Sequence, residues 1–114
     1  MTDKELLALA AKAAWIDYVI HNELFLVDID EMGHTVWNPL IDDVDAFRLA
    51  VKLQLEVYHA NDEGDAVYVG YYLPENTGMK YCIEYYDDIN HLGLANSATR
   101  RAIVRAAAEI GKTL

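Results

Sequence analysis

A chain of 114 residues that is 54% hydrophobic and 25% charged suits one folded domain around one core, and its composition excludes a disordered chain. The net charge of −10 disfavours a direct hold on nucleic acid and favours basic partners. The longest apolar runs fall short of the roughly 20 residues that a membrane span needs.

Thr2-Asp3-Lys4-Glu5 fits a capping box, in which the threonine hydroxyl and the glutamate carboxylate satisfy backbone N–H groups left over at a helix start. Leu6, Leu7, Ala10 and Ala14 follow at helical spacing, and the helix should fade near Ala14. The run Trp15 to Ile20 is ambiguous. Glu23 to Ile29 reads as a strand, with Leu24 and Leu26 on one side and Phe25, Val27 and Ile29 on the other. Asp30 to Gly33 is a hairpin turn that returns through His34 to Trp37.

Asn38-Pro39 breaks that strand, because proline cannot donate to a ladder. Asp42 or Asp43 then caps a second helix that runs to about Leu53, with Val44, Phe47 and Val51 on one face. Its early aspartates suit the positive end of the helix dipole, and Arg48 and Lys52 suit its later turns. Three strands follow: Leu55 to His59, Ala66 to Leu73 and Lys80 to Tyr86. After a polar loop from Asp87 to Asn96, Ser97 caps a last helix with a buried stripe of Ile103, Ala106, Ala107 and Ile110. Arg101, Arg105 and Glu109 lie opposite, on a solvated face where Arg105 and Glu109 can pair. The order α-β-β-α-β-β-β-α, with hairpin-length links, predicts an α+β domain over residues 1–114. It contains one mainly antiparallel sheet of about five strands with helices packed on it.

Three segments carry a resemblance. They are Thr2 to Leu7 leading into an alanine-rich helix, Val36-Trp37-Asn38-Pro39-Leu40 with Asp42-Asp43 and the helix Ala46 to Leu53, and Ala98-Thr99-Arg100-Arg101 continuing to Gly111. Together they resemble small phage and prophage proteins of the phage ABA sandwich domain family. The resemblance implies a phage or prophage origin and a helix-sheet-helix sandwich, and brings no catalytic residues with it. Tyr58 to Asn96 matches least, so a function particular to this chain would lie there. The single cysteine, Cys82, allows no internal disulfide, and Met1 to Glu5 lacks the pattern of a secretory leader. The expected place is therefore the cytoplasm of a bacterial host.

The charge is segregated. Eight acidic residues and no Lys or Arg lie between Ala13 and Phe47, and eight more with Lys80 alone lie between Leu53 and Thr99. Seven of the eight tyrosines fall between Tyr58 and Tyr86. Tyrosine favours half-buried pleated surfaces, so the concentration has a purely structural reading. It also has a functional one, since alternation can place Glu56 with Tyr58, Tyr68 with Tyr72, and Glu84 with Tyr86 on the face opposite Val57, Val67 and Val69. Rigid aromatics in an acidic field are what recognition of a basic protein requires.

Catalytic and metal motifs are absent from the sequence: there is no His-Glu-x-x-His, Cys-x-x-Cys or phosphate-cradling glycine loop. His91 with Asp87 and Asp88 could ligate a metal but reads better as a solvated loop, and Cys82 reads as a small strand residue. The expectation is a non-enzymatic protein without cofactor or metal that binds a basic, nucleic-acid-binding host defence protein. Asp28, Glu56, Asp62, Glu63, Asp65, Glu84, Asp87 and Asp88 would supply the field, and Tyr68, Tyr72 and Tyr86 the anchors. One alternative is a sponge for a small signalling nucleotide held through Arg100, Arg101 or Arg105. Another is a structural or assembly role in the virion.

Overall fold

The long C-terminal helix is buried on nearly every side. In the computed structural model, which describes residues 1–28, 33–60, 65–73, 78–86 and 92–114 (of 92–94 the backbone alone), this helix runs from Leu92 to Gly111. Among the described residues three helices, α1 (Asp3–Ala13), α2 (Asp43–Lys52) and α3 (Leu92–Gly111), accompany six strands. The strands are β1 (Val19–His21), β2 (Leu24–Asp28), β3 (His34–Val36), β4 (Glu56–Ala60), β5 (Ala66–Tyr71) and β6 (Lys80–Tyr85). They form two separate antiparallel sheets, β1-β2-β3 and β4-β5-β6. The α+β class therefore holds, but with six strands in two sheets rather than about five in one. The additional strand is β1, from the ambiguous run after α1.

Helix α3 packs against α1, α2 and the inner face of β5 and β6. Ala102, Val104, Ala106 and Ala107 are wholly inaccessible, so the buried surface is much wider than a single stripe. Small side chains let three neighbours approach one helix at once. The tightest point is Gly111, where an added Cβ would overlap the backbone carbonyl of Leu9 in α1. The N-terminus of α3 lies upstream of the expected cap, and Ser97 falls inside the helix. Asp87 to His91 lie outside the described residues.

The starts of α1 and α2 obey their sequence signals. Thr2 and Glu5 form the capping box, and Asp42 accepts from the Asp45 N–H at 3.0 Å. Their ends carry no glycine, yet both close in the same way. Trp15 and Gln54 adopt positive φ, of 59° and 53°, while Ile16 N–H donates to the Ala11 carbonyl and Leu55 N–H to that of Ala50. These are Schellman closures on side chains for which the left-handed conformation is costly. The first leaves the Trp15 indole 84% exposed. Between β1 and β2, Asn22 and Glu23 both have positive φ, giving a two-residue turn whose twist matches the strands it joins. Glu23 is thus a turn residue, and the strand begins at Leu24.

The Asn38-Pro39 corner is structural. Asn38 N–H donates to the Asp45 carboxylate at 2.9 Å, and its side-chain oxygen accepts from Leu40 N–H at 3.0 Å. Burial pushes the Asp45 carboxyl up, against the opposing pull of the Asn38 N–H. On α2 the buried residues are Ala46, Leu49 and Ala50, so the face of Val44, Phe47 and Val51 turns outward. Phe25, Trp37 and Tyr18 anchor the first sheet, with Phe25 and Trp37 joining the same core as α1, α2, α3 and the second sheet.

The Gly111 contact gives a sign-reversed expectation. Alanine is better than glycine in a helix by about 1 kcal/mol. Gly111→Ala should nevertheless destabilise the fold by about 1–3 kcal/mol, because the new methyl forces α1 and α3 apart. Chemical denaturation of the two chains checks the sign.

Candidate functional site

The second sheet has two faces of opposite character, fixed by register. Tyr58 pairs with Tyr68 and Tyr68 with Ile83; Glu56 pairs with Gly70 and Gly70 with Tyr81; Ala60 pairs with Ala66 and Ala66 with Tyr85. The pleat sends all of these to the side away from α3. Val67, Val69 and Cys82 point the other way, into the core. The outer face thus carries Tyr58, Tyr68, Tyr81 and Tyr85, with Glu56 and Ile83 among them.

Three of these rings make a single assembly. Tyr58 and Tyr68 are stacked with centroids 5.8 Å apart and planes 4° from parallel, while Tyr81 meets both edge-on, at 6.0 and 6.5 Å. Such geometry adds to ordinary area burial and holds each ring in place. Gly70 makes room for it: the Met79 sulfur occupies the space a Cβ would need, and the Tyr81 ring edge lies close by. The assembly still faces solvent, with Tyr58 40% and Tyr81 47% exposed. The neighbouring Tyr81 phenol, then partial desolvation and the nearby Glu56 charge, push the Tyr58 phenol up to about 12. The tyrosine rings of this face are accordingly neutral, rigid and rich in hydroxyl groups, with the Glu56 carboxylate beside them.

The expected site residues divide. Glu56 and Tyr68 lie on this face, and Tyr72, one residue past β5, is exposed. Glu84 and Tyr86 do not share it. Glu84 pairs across the ladder with Val67, faces inward and is bound by the Arg105 guanidinium, which also donates to the Ile83 carbonyl at 3.0 Å. Tyr86 N–H donates to the Asp65 carbonyl at 3.0 Å, and its hydroxyl lies 3.5 Å from His59 Nδ1. Half-buried Asp65 stands beside that edge. Asp28 belongs to the first sheet, paired with His34 at 2.8 Å. Asp62, Glu63, Asp87 and Asp88 lie outside the described residues.

Tyr81, Tyr85 and Ile83 are missed because the alternation of β6 points the other way: the more apolar set, Tyr81, Ile83 and Tyr85, reads as the core face, and Lys80, Cys82 and Glu84 as the solvated one. The inward choice is made by Arg105, which gives Glu84 a partner beneath the sheet. The presence of an arginine on the alanine-rich helix was the available signal.

The three arginines lead to three different elements. Arg100 donates to the Leu40 carbonyl at 2.9 Å and to Asp43 at 2.6 Å, Arg101 to Asp3 at 3.1 Å, and Arg105 to β6. Arg105 therefore does not pair with Glu109, whose carboxylate accepts from Lys112 at 2.9 Å. Asp42 and Asp43 are likewise committed, one to the α2 cap and the other to Arg100. Burial pushes the Cys82 thiol up and away from thiolate character. Among the described residues no group of three or more His, Cys, Asp or Glu could hold a metal, and no helix is long and apolar enough to cross a membrane.

The tyrosine assembly has a titration signature. The folded chain holds the Tyr58 proton more tightly than an unfolded chain at the ordinary 10.0, so this stabilisation is complete below about pH 10 and is lost as pH rises toward 12. Tyr81→Phe should return one phenol toward 10.0, seen as earlier phenolate absorbance in an alkaline titration, and should reduce that pH dependence of stability, since desolvation and Glu56 remain. No family model, curated protein or solved structure matches this chain.

Proposed function

We propose that this protein is a non-enzymatic interaction protein that binds a basic partner through the tyrosine face of the second sheet. The observation that carries the reading is the exposed assembly of Tyr58, Tyr68 and Tyr81, held rigid by ring packing in a chain of net charge −10. Pre-packed aromatics lose little conformational freedom on binding, which is why tyrosine is frequent among residues that dominate interface energies. The face contains Glu56 and no Lys or Arg among the described residues. A positively charged surface would therefore be drawn in by the long-range field and held by ring contact. The phage resemblance makes a host protein the expected partner, and a nucleic-acid-binding defence component has the required basic surface. Blocking that surface would inhibit it.

The nucleotide-sponge reading draws less support, because Arg100, Arg101 and Arg105 are each bonded to protein groups on separate elements. Affinity purification of the tagged chain from host lysate at low salt, read by native mass spectrometry, separates the alternatives. The expected result is a basic protein released as salt rises, with Tyr58→Ala or Tyr81→Ala weakening capture by roughly thirty-fold or more and Glu56→Lys lowering the salt dependence. Capture that ignores both salt and these substitutions would refute the reading. Retention of a small molecule would favour the sponge, and a fixed copy number in purified particles a virion role.

A further inference from the structure

Val44, Phe47 and Val51 recur at spacings of three and four along α2 and form a face turned away from the core. The contrast along the helix is sharp: Phe47 is 68% exposed, while Leu49, two residues on, is 2% exposed. Phe47 and Val51 also form one wall of a groove of about 490 Å³, whose other walls are Val57 of β4 and Thr99 and Ile103 of α3. A projecting aromatic thus stands beside a concave apolar slot on the same patch.

We infer that this face joins two copies of the chain around a twofold axis, with the α2 helices antiparallel and Phe47 of each copy seated against the groove of the other. A patch that offers both the knob and the hole is self-complementary, as a twofold interface requires. Antiparallel pairing opposes the two helix dipoles. The one acidic group among the described walls of the groove, Asp43, is already bound by Arg100, so the patch offers apolar contact and no open carboxylate for a basic partner.

Size agrees. Ile41, Val44, Phe47, Val51 and Val57 are each between 38% and 72% exposed. Together they offer on the order of 500 Å² of apolar surface, close to the apolar share of the roughly 800 Å² that each partner buries in a stable interface. The tyrosine face belongs to the other side of the second sheet, so association through α2 leaves it open in both copies.

Sedimentation equilibrium across the micromolar range tests the inference on the intact chain. The expected mass is that of two copies, and Phe47→Asp should weaken association by about thirty-fold or more with an unchanged circular dichroism spectrum, since the side chain is exposed. Antiparallel register is read separately. A Val44→Cys chain mixed with a Val51→Cys chain should cross-link on oxidation faster than either chain alone, and buried Cys82 would not compete. A monomer at every concentration, a dimer indifferent to Phe47→Asp, or faster cross-linking of Val44→Cys with itself would each overturn the proposal.

Discussion

The close approach of α1, α2 and the second sheet to one alanine-rich helix is the constraint on which the rest of the molecule depends. A helix buried on one stripe can carry large apolar residues there and polar ones elsewhere. A helix surrounded on several sides has to be thin. Ala102, Ala106, Ala107 and Ala108 supply that thinness, and Gly111 extends it to direct contact with the α1 backbone. Each alanine contributes little burial by itself, but their small size permits the dense contact among neighbours that gives a core its dispersion energy. Leu49, Val67, Val69 and Val104 then fill the space between elements as the largest fully buried apolar side chains beside Pro39.

The same arrangement explains the charge of the surface. Much of the basic complement acts as internal ties. Arg100 joins α3 to the start of α2, Arg101 joins it to the start of α1, and Arg105 joins it to β6. Lys12 donates to the Leu114 carbonyl at 2.7 Å, and Lys112 to Glu109. These bonds are part-buried or exposed, and the exposed ones are individually weak. Their collective effect is positional: positive groups are drawn toward the helices. The outer face of the second sheet is left with Glu56 and its tyrosines. The lack of Lys and Arg on that face, among the described residues, is therefore a consequence of how the helices are held, as well as of composition.

Two exposed surfaces result, with different chemistry. The tyrosine face is hydroxyl-rich, with Glu56 as its charge, and is the surface proposed above for a basic partner. The α2 face is apolar, with Val44, Phe47 and Val51 exposed, and is the surface proposed above for a second copy. Their separation means that one surface can be occupied without excluding the other.

The sequence by itself determined what depends on neighbours along the chain. The Thr2–Glu5 capping box, the Asp42 cap and the Asn38-Pro39 corner all rest on groups a few residues apart, and local chemistry suffices for them. The placing of Tyr58 and Tyr68 on one face was legible for the same reason, since β4 and β5 have an apolar phase in Val57, Val67 and Val69. Tertiary structure decided what local chemistry leaves balanced. Trp15 and Gln54 end their helices in a conformation that their side chains disfavour, so packing, and no residue preference, closes those turns. Alternation along β6 placed Glu84 and Tyr86 on the outer face, whereas Arg105 on α3 gives Glu84 an inward partner and Tyr81 and Tyr85 face outward. On α2 Val44, Phe47 and Val51 share one face, yet the core takes the face of Ala46, Leu49 and Ala50, which only the packing against α3 decides. How near two elements can come is a property of both surfaces together, and a pattern read along one chain segment contains only half of it.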